Sequence, residues 1–360
     1  MAESFSFSQN AWKRLKKNKG AMSGLFLICF FVLIAIFAYF ISTDSTPNAD
    51  RQIVEIQARQ PGFEQLFLKV KKEKKISSPT FFNRLLFGRE DKSVYIPINS
   101  FQESSDSVII EKYIDEGVQE RQAYPKTMLP EKNYIVSKTF WLGTDKFGRD
   151  ILSRLIVGTR ISLAVGLITV IISLSIGIIL GAAAGYFGGR TDNIIMWLIN
   201  VIWSMPTLLL VFGLTLTLGK GFWQIFIAVG LTMWVNVART IRGQVLALRE
   251  MEYIQAAKAL GLKNMRIIVR HILPNVMGPV IVIAASNFAS AIIIEAGLSF
   301  LGVGVQPPMP SWGLMIKENY NFIVTNNPAL ALAPGIAIMI LVLAFNLLGN
   351  GLRDALDVRG

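Results

Sequence analysis

Six stretches of the chain carry almost no charge and come close to the ~20 residues that a bilayer-spanning helix needs: Ala21 to Ile41, Ile161 to Tyr186, Ile194 to Leu218, Phe222 to Val237, Asn275 to Gly297 and Ala329 to Leu348. The pattern predicts an all-α integral membrane protein with six transmembrane helices. Within the second stretch Gly177, Gly181 and Gly185 recur every four residues, with Ser173 one step earlier. Such a stripe lets helix backbones approach closely, so this span is expected to pack against another. The third stretch is interrupted at Trp203-Ser204-Met205-Pro206, where proline removes a backbone donor and kinks the helix. That kink is either a structural bend or the border of a pathway. Between the first two stretches, Ser42 to Asp150 turns polar for about 100 residues, too long for a tight connection and rich enough in Phe, Tyr, Ile and Val to bury a small core. A compact insert is expected there. Alternation over Ser93 to Asn99 reads as a strand, which Pro97 would place at a sheet edge.

Charge orients the pattern. The chain is 52% hydrophobic and carries a net charge of +12, but its basic residues cluster at the ends of apolar stretches, where orientation signals sit, so nucleic acid is not the partner they imply. Lys13, Arg14, Lys16, Lys17 and Lys19 precede the first span, which is too long for a secretory signal. Arg239, Arg242, Arg249, Lys258, Lys263, Arg266 and Arg270 follow the fourth and outweigh Glu250 and Glu252. Both clusters belong in the cytoplasm, and four crossings from an inner N-terminus return the chain there, so both termini are expected inside and the insert outside. The run Lys69, Lys71, Lys72, Lys74, Lys75 is either a solvated face or a partner contact. Cys29 is the sole cysteine and His271 the sole histidine, which rules out an intrachain disulfide and argues against a tight transition-metal site. Glu295 lies near the end of the fifth stretch, where a carboxylate is costly in lipid. It should face protein or a wet cavity, as an ion-pair partner or a substrate contact. No Gly-x4-Gly-Lys-Ser/Thr occurs, so the chain has no phosphate loop to cradle ATP.

The basic segment between the fourth and fifth spans, Glu250 to Asn275, reads as two short helices joined by a turn. The first has Tyr253, Ala256, Ala257 and Leu260 at helical spacing and ends at Gly261, where a left-handed residue costs glycine no strain. Asn264 is the expected cap of the second, whose apolar face is Met265, Ile268 and Ile272. Small side chains at Ala256, Ala257, Ala259 and Gly261 leave a shallow surface against which another protein can press. Gln255-Ala256-Ala257, then Gly261, then His271-Ile272-Leu273-Pro274 nine residues on, resembles the cytoplasmic "EAA" loop of ABC-importer permeases. Gln255 stands in place of the acid and His271 in an apolar slot. The resemblance implies that Tyr253, Gln255, Ala256, Ala257, Gly261, His271, Leu273 and Pro274, within a coupling loop spanning residues 246–274, dock on an ATP-hydrolysing subunit.

Four further motifs point the same way. Lys16-Lys17-Asn18-Lys19 before the first span is similar to the N-terminal segment of dipeptide and oligopeptide permeases. Leu142-Gly143-Thr144-Asp145 through Gly148-Arg149-Asp150 resembles a motif of the dipeptide/oligopeptide/nickel permease family. Its Asp145, Arg149, Asp150 and Arg154 fall at helical spacings that allow local ion pairs on the outer face; a catalytic carboxylate pair there would lack a base, a metal cluster or a nucleophile. Leu298-Ser299-Phe300-Leu301-Gly302 through Pro310-Ser311-Trp312-Gly313 resembles the family's outer loop, with Trp312 suited to the membrane interface. Asn346 to Asp357 is similar to its terminus. The resemblance thus divides the chain into residues 1–41, an extracytoplasmic insert at 42–140 that it does not cover, and a permease domain at 141–360. It implies the second permease subunit of a bacterial inner-membrane importer for dipeptides or oligopeptides. The implied partners are another permease, two ATP-binding subunits that bind the ATP and magnesium, and an extracytoplasmic substrate-binding protein. The chain itself would hold no cofactor or metal and would not be an enzyme. Trp203, Met205, Pro206 and Glu295 are the candidates for a pathway or gate. Import of nickel or a modified peptide is the alternative within the family. A membrane-embedded enzyme using Asp145, Asp150 or Glu295, or a receptor anchored by its insert, are the alternatives outside it.

Overall fold

A computed structural model describes residues 7–73, 79–219, 221–324 and 327–356. Lys74, Lys75 and Asp357 lie outside them. The helices are α1 (Phe7–Lys17), α2 (Lys19–Ile41), α3 (Phe81–Phe87), α4 (Ile151–Phe187), α5 (Gly189–Trp203), α6 (Thr207–Leu218), α7 (Phe222–Arg249), α8 (Glu252–Ala259), α9 (Asn264–Ile267), α10 (Leu273–Leu301), α11 (Trp312–Asn319) and α12 (Ala329–Leu356). The strands are β1 (Phe63–Lys71), β2 (Ser93–Glu103), β3 (Ser107–Asp115), β4 (Val118–Pro125) and β5 (Ile135–Phe140). Five helices or helix pairs are long and apolar enough to cross a membrane: α2, α4, α7, the continuous Asn264–Leu301 and α12. The pair α5 and α6, bent by 93° at its break, makes a sixth candidate. The chain separates into two compact units.

The first unit comprises residues 1–31, 162–306 and 338–360. Its helices are longer than the apolar runs that announced them, because their charged ends find partners rather than fraying. Close backbone approach sets the packing. A side chain at Gly177 would meet Val237 Cγ1 at 2.6 Å, one at Gly181 would meet Ile241 Cβ at 2.9 Å, and one at Gly185 would meet Val245 Cβ at 2.8 Å. The small-residue stripe of α4 is therefore the seam against α7. A side chain at Gly24 of α2 would likewise meet Leu347 and Leu348 of α12 at 3.1 Å, and Phe288 stacks on Phe345 with ring centroids 4.0 Å apart.

The second unit comprises residues 32–161 and 307–337. It departs from the all-α expectation, since its centre is a five-stranded antiparallel sheet in the order β4-β3-β2-β1-β5. Phe67, Leu68, Ile98, Val108 and Ile110 are buried on it. The strand expected at Ser93 to Asn99 is present, but as the middle of the sheet rather than its edge. Proline is accommodated because the ladder from β2 to β3 begins only at Ile98, leaving Pro97 paired with Phe67 of β1 alone. Trp312, expected at an interface, is fully buried at the start of α11 and donates from Nε1 to the Leu155 carbonyl at 3.0 Å. Gly158 leaves it room: a side chain there would meet the indole at 3.0 Å.

Candidate functional site: the loop between α7 and α10 and the break at Trp203

The loop keeps the expected outline and turns its faces differently. α8 ends in a left-handed residue, Gly261 at φ +76°, whose N–H donates to the Lys258 carbonyl at 2.9 Å while Leu262 N–H reaches Ala257 O at 3.2 Å. The inward face of α8 is Ile254 and Ala257. Tyr253, Gln255, Ala256 and Leu260 are exposed, Leu260 by 82%. The apolar spacing read from the sequence thus mixes both sides of a short helix. In the second segment Ile267, Ile268 and Ile272 are buried and Met265 is exposed. Asn264 does not cap: Lys263 occupies the cap position, and Asn264 Oδ1 accepts from the Tyr186 hydroxyl at 2.9 Å. Instead of a separate helix followed by a span from Asn275, α9 runs through a π-helical turn at Ile268–Ile272 directly into α10. Pro274, which has no N–H to donate, sits in the first turn after it, and Pro279 lies inside the helix. His271 is half-buried, and its carbonyl accepts from Asn275 Nδ2 at 2.7 Å.

What lies beneath the loop is apolar. Ile254, Ala257, Ile267, Ile268 and Ile272 form one buried cluster with Ala182 and Tyr186 of α4, Val237, Ile241 and Val245 of α7, and Val276 and Val280 of α10. A few polar links surround it. Arg249 donates to the Tyr186 carbonyl at 3.3 Å, Gln255 Nε2 to the Arg249 carbonyl at 3.1 Å, and Arg242 holds Asp192 at the start of α5 with two contacts of 2.5 and 2.6 Å. The loop is a cap seated on three long helices, with small and flat groups outward.

At Trp203-Pro206 the chain breaks outright rather than kinking. Pro206 stands at the N-cap of α6, where its missing donor costs nothing, since the first helical N–H groups are unpaired in any case. The break opens a cavity of about 390 Å³, whose lining includes Trp203, Thr207, Thr232, Asn236, Asn287 and Ser290. Its polar lining groups are neutral hydroxyls, amides and an indole. Trp203 Nε1 donates to Asn236 Oδ1 at 3.2 Å, and the Arg239 guanidinium lies 4.4 Å from the indole ring centre. Of the four pathway candidates the cavity gathers Trp203; Met205, Pro206 and Glu295 are not in its described lining. Glu295 is buried and accepts from Ser299 Oγ at 2.6 Å.

The second unit brings together the other predicted group. Residues 145–150 are a turn ahead of α4, not a helix. Asp145 Oδ1 accepts from the N–H groups of Phe147 and Arg149 at 2.9 and 3.0 Å, and its Oδ2 pairs with Arg149 Nε at 2.6 Å. Arg149 also reaches Glu318 at 2.6 Å and Asp50 at 3.1 Å, and Arg154 lies 3.4 Å from Glu318. Asp150 stands apart as the N-cap of α4, accepting from Ser153 N and Ser153 Oγ at 3.3 and 2.5 Å and from the Thr43 hydroxyl. Sequence spacing missed Asp50 and Glu318. The available signal was that Glu318 is the sole carboxylate between Glu295 and Asp354.

Comparison with known proteins agrees with this architecture. Residues 177–359 match the family of binding-protein-dependent transport system inner membrane components, and residues 6–61 match the N-terminal TM domain of oligopeptide transport permease C. The chain is 34% identical over 354 residues to the dipeptide transport system permease protein DppC of Bacillus subtilis (strain 168), covering 98% of this chain and 86% of the relative. The chain belongs to this permease family. To the oligopeptide transport system permease protein OppC of the same organism it is 43% identical over 237 residues, 66% of this chain and 77% of that one. To the glutathione transport system permease protein GsiD of Pectobacterium atrosepticum it is 43% identical over 221 residues, 61% and 73% respectively. As a permease of this family it is a multi-pass inner-membrane component of a transport system, not an enzyme, so the enzyme alternative is not favoured.

Proposed function

We propose that this permease is one half of the membrane pore of an ATP-driven importer for dipeptides or oligopeptides. Its relatives carry those names over most of their length, and the neutral polar lining of the cavity at Trp203 suits a cargo whose side chains vary while its backbone amides do not. Its partners are a second permease, two ATP-binding subunits that hold the ATP and magnesium, and an extracytoplasmic binding protein. In this reading six spans, with α5 and α6 counted as one, leave both termini on one side, and the basic residues before α2 and after α7 favour the cytoplasm as that side, with the insert at 42–140 outside. The permease domain is 141–360. Asp145, Arg149, Asp150 and Arg154 brace its outer side, and Trp203, Met205, Pro206 and Glu295 lie on or near the pathway.

The observation that carries this reading is the two-sidedness of α8. Ile254 and Ala257 are locked into the core of three long helices, while Tyr253, Gln255, Ala256 and Leu260 face outward and Gly261 has nothing within 4 Å of its missing side chain. ATP-driven closure of the docked subunits would move the loop, and the buried cluster would pass that movement to the spans. His271, Leu273 and Pro274 hold the far end of the loop at the π turn.

Gly261→Asp tests it. An aspartate at positive φ is strained, and its charge would be trapped in the docked interface. Each ~1.4 kcal/mol lost from docking weakens it about tenfold, so ATP-binding subunits should fail to co-purify while the permease still inserts. Undiminished uptake would refute the docking assignment. Orientation is tested with Cys29→Ser as background: a cysteine at Ser105 should react with an impermeant thiol reagent on intact spheroplasts, and one at Lys263 only after lysis. The reverse pattern would invert the topology.

A further inference from the structure

α3 reads Phe-Phe-Asn-Arg-Leu-Leu-Phe, and none of its residues is buried. Phe81, Phe82, Leu86 and Phe87 are 58%, 69%, 53% and 66% exposed. A surface helix of an aqueous domain turns such side chains inward, and a contiguous apolar patch left outward marks a contact. The patch sits at the end of an apolar helix: the Phe81 ring centre is 5.4 Å from that of Phe40, and the Arg84 guanidinium is 4.4 Å from the same ring. Phe40 is the penultimate residue of α2. Arg160 fixes the short helix there by donating to the Leu85 and Leu86 carbonyls at 2.8 and 3.0 Å, groups that a helix C-terminus otherwise leaves open.

Beside the patch is a cavity of about 430 Å³ lined by Lys69, Arg84, Arg89, Lys92 and Lys132 against Glu90 and Asp91. Asp91 is engaged by Arg51 through two contacts of 2.5 and 2.7 Å, and the five cations of the lining outnumber its two carboxylates. Burial, and after it Arg51 and Arg89, hold the Lys69 ammonium below its ordinary value against the opposing pull of Asp91. Arg84 belongs to both features, stacked on Phe40 and lining the cavity. An apolar patch level with the end of a span, flanked by clustered cations, matches the lipid-water boundary, where acyl chains meet phosphates.

We propose that α3 is an interfacial helix, with Phe81, Phe82, Leu86 and Phe87 immersed in the leaflet at the Ile41 end of α2, and that the adjoining basic cavity holds the headgroup phosphate of an anionic phospholipid of that leaflet. The insert is thereby tethered to the bilayer surface. This rests on α2 being a membrane span, which Cys29 of α2 checks directly.

The test uses the full chain with its co-purifying subunits in nanodiscs containing phosphatidylglycerol and phosphatidylcholine. A nitroxide on Cys29 reports the span. In a Cys29→Ser background, Phe82→Cys reports α3 and Ser105→Cys an aqueous site. Oxygen should relax the nitroxides at 29 and 82 and a water-soluble nickel chelate the one at 105. A label at 29 that behaves as aqueous would sink the span assignment. A lipid-exposed 29 with an aqueous or fully shielded 82 would sink this proposal alone. Retained phosphatidylglycerol, counted by native mass spectrometry, should fall roughly fivefold for each basic residue removed in Arg89→Glu and Lys132→Glu. It should be unchanged in the charge-matched Arg121→Glu on β4 and Lys126→Glu just after it. Equal loss in both pairs, or no preference for phosphatidylglycerol in the unaltered chain, overturns the headgroup site.

Discussion

The loop between α7 and α10 and the turn ahead of α4 hold their elements in place by opposite means. Beneath the loop the contact is made by isoleucine, valine and alanine, with hydrogen bonds only around the margin. At the turn the contact is three carboxylates, Asp50, Asp145 and Glu318, around the guanidiniums of Arg149 and Arg154, with Asp145 and both arginines buried. Apolar packing is tolerant: it has no preferred direction, and loss of one contact leaves the others intact. A buried charge network is directional and intolerant, since removing one member strands the rest without water. The first suits a part that must move as a body with its helices. The second suits a part that must hold one arrangement.

Arg149→Met should therefore break the comparison most visibly. Leaving Asp50, Asp145 and Glu318 with only the more distant Arg154 should cost about 3–5 kcal/mol, read as a lowered midpoint of thermal unfolding. A loss no greater than that of a surface arginine would show that the network is wet and replaceable.

Lys138 sharpens the contrast from the opposite sign. It lies in the same unit, stacked 4.2 Å from the Tyr95 ring centre, and burial pushes its ammonium from 10.5 down to about 8. The unfolded chain keeps the ordinary value, so the folded state binds fewer protons between pH 8 and 10.5. Stability is then lost as pH falls through that window, roughly 3 kcal/mol in total, and stays lost below it. Lys138→Met should raise the unfolding free energy read from urea melts of the sheet's circular dichroism at pH 7 by up to that amount. The gain should shrink toward zero by about pH 10.5; a gain independent of pH would mean that packing, not charge, is responsible.

The smallest effect is expected at the margin of the loop. Tyr186→Phe removes the hydrogen bond to Asn264 and leaves the ring in its cluster, so it should cost about 0.5–1.5 kcal/mol. The ratio of transport to ATP hydrolysis should barely change. Marked uncoupling by this one hydroxyl would mean that the polar links, rather than the isoleucines, carry the movement.

The apolar spans were legible because lipid imposes a length and a composition that no other environment does. Their ends were not, because Arg154 and Arg160 look like boundaries until their carboxylate and carbonyl partners are seen. The glycine stripe gave its role directly, since a missing side chain constrains the backbone in any context. α8 was harder. In eight residues, Ala256 and Ala257 are equally plausible on either face, and only the helices beneath decide that Ile254 and Ala257 turn inward. Pro97 misled for a related reason, because a rule about edges applies to each side of a strand separately. The distant partners of Arg149, Asp50 and Glu318, lie 99 and 169 residues away in sequence, and spacing carries no trace of them.

The π turn at Ile268–Ile272 sets a phase. Each residue of an α-helix advances the side chains by about 100°, so the wider turn decides at what angle the loop meets α10. With it in place, Ile267, Ile268 and Ile272 share a side with Val276 and Val280. One residue fewer would rotate the loop around the axis of the span by more than a quarter turn, carrying the outward face of α8 away from whatever it met before. The loop's address on a partner is thus written as an angle as well as a surface. A single-residue deletion in this turn is an indexing change, able to redirect the loop without altering any residue on it.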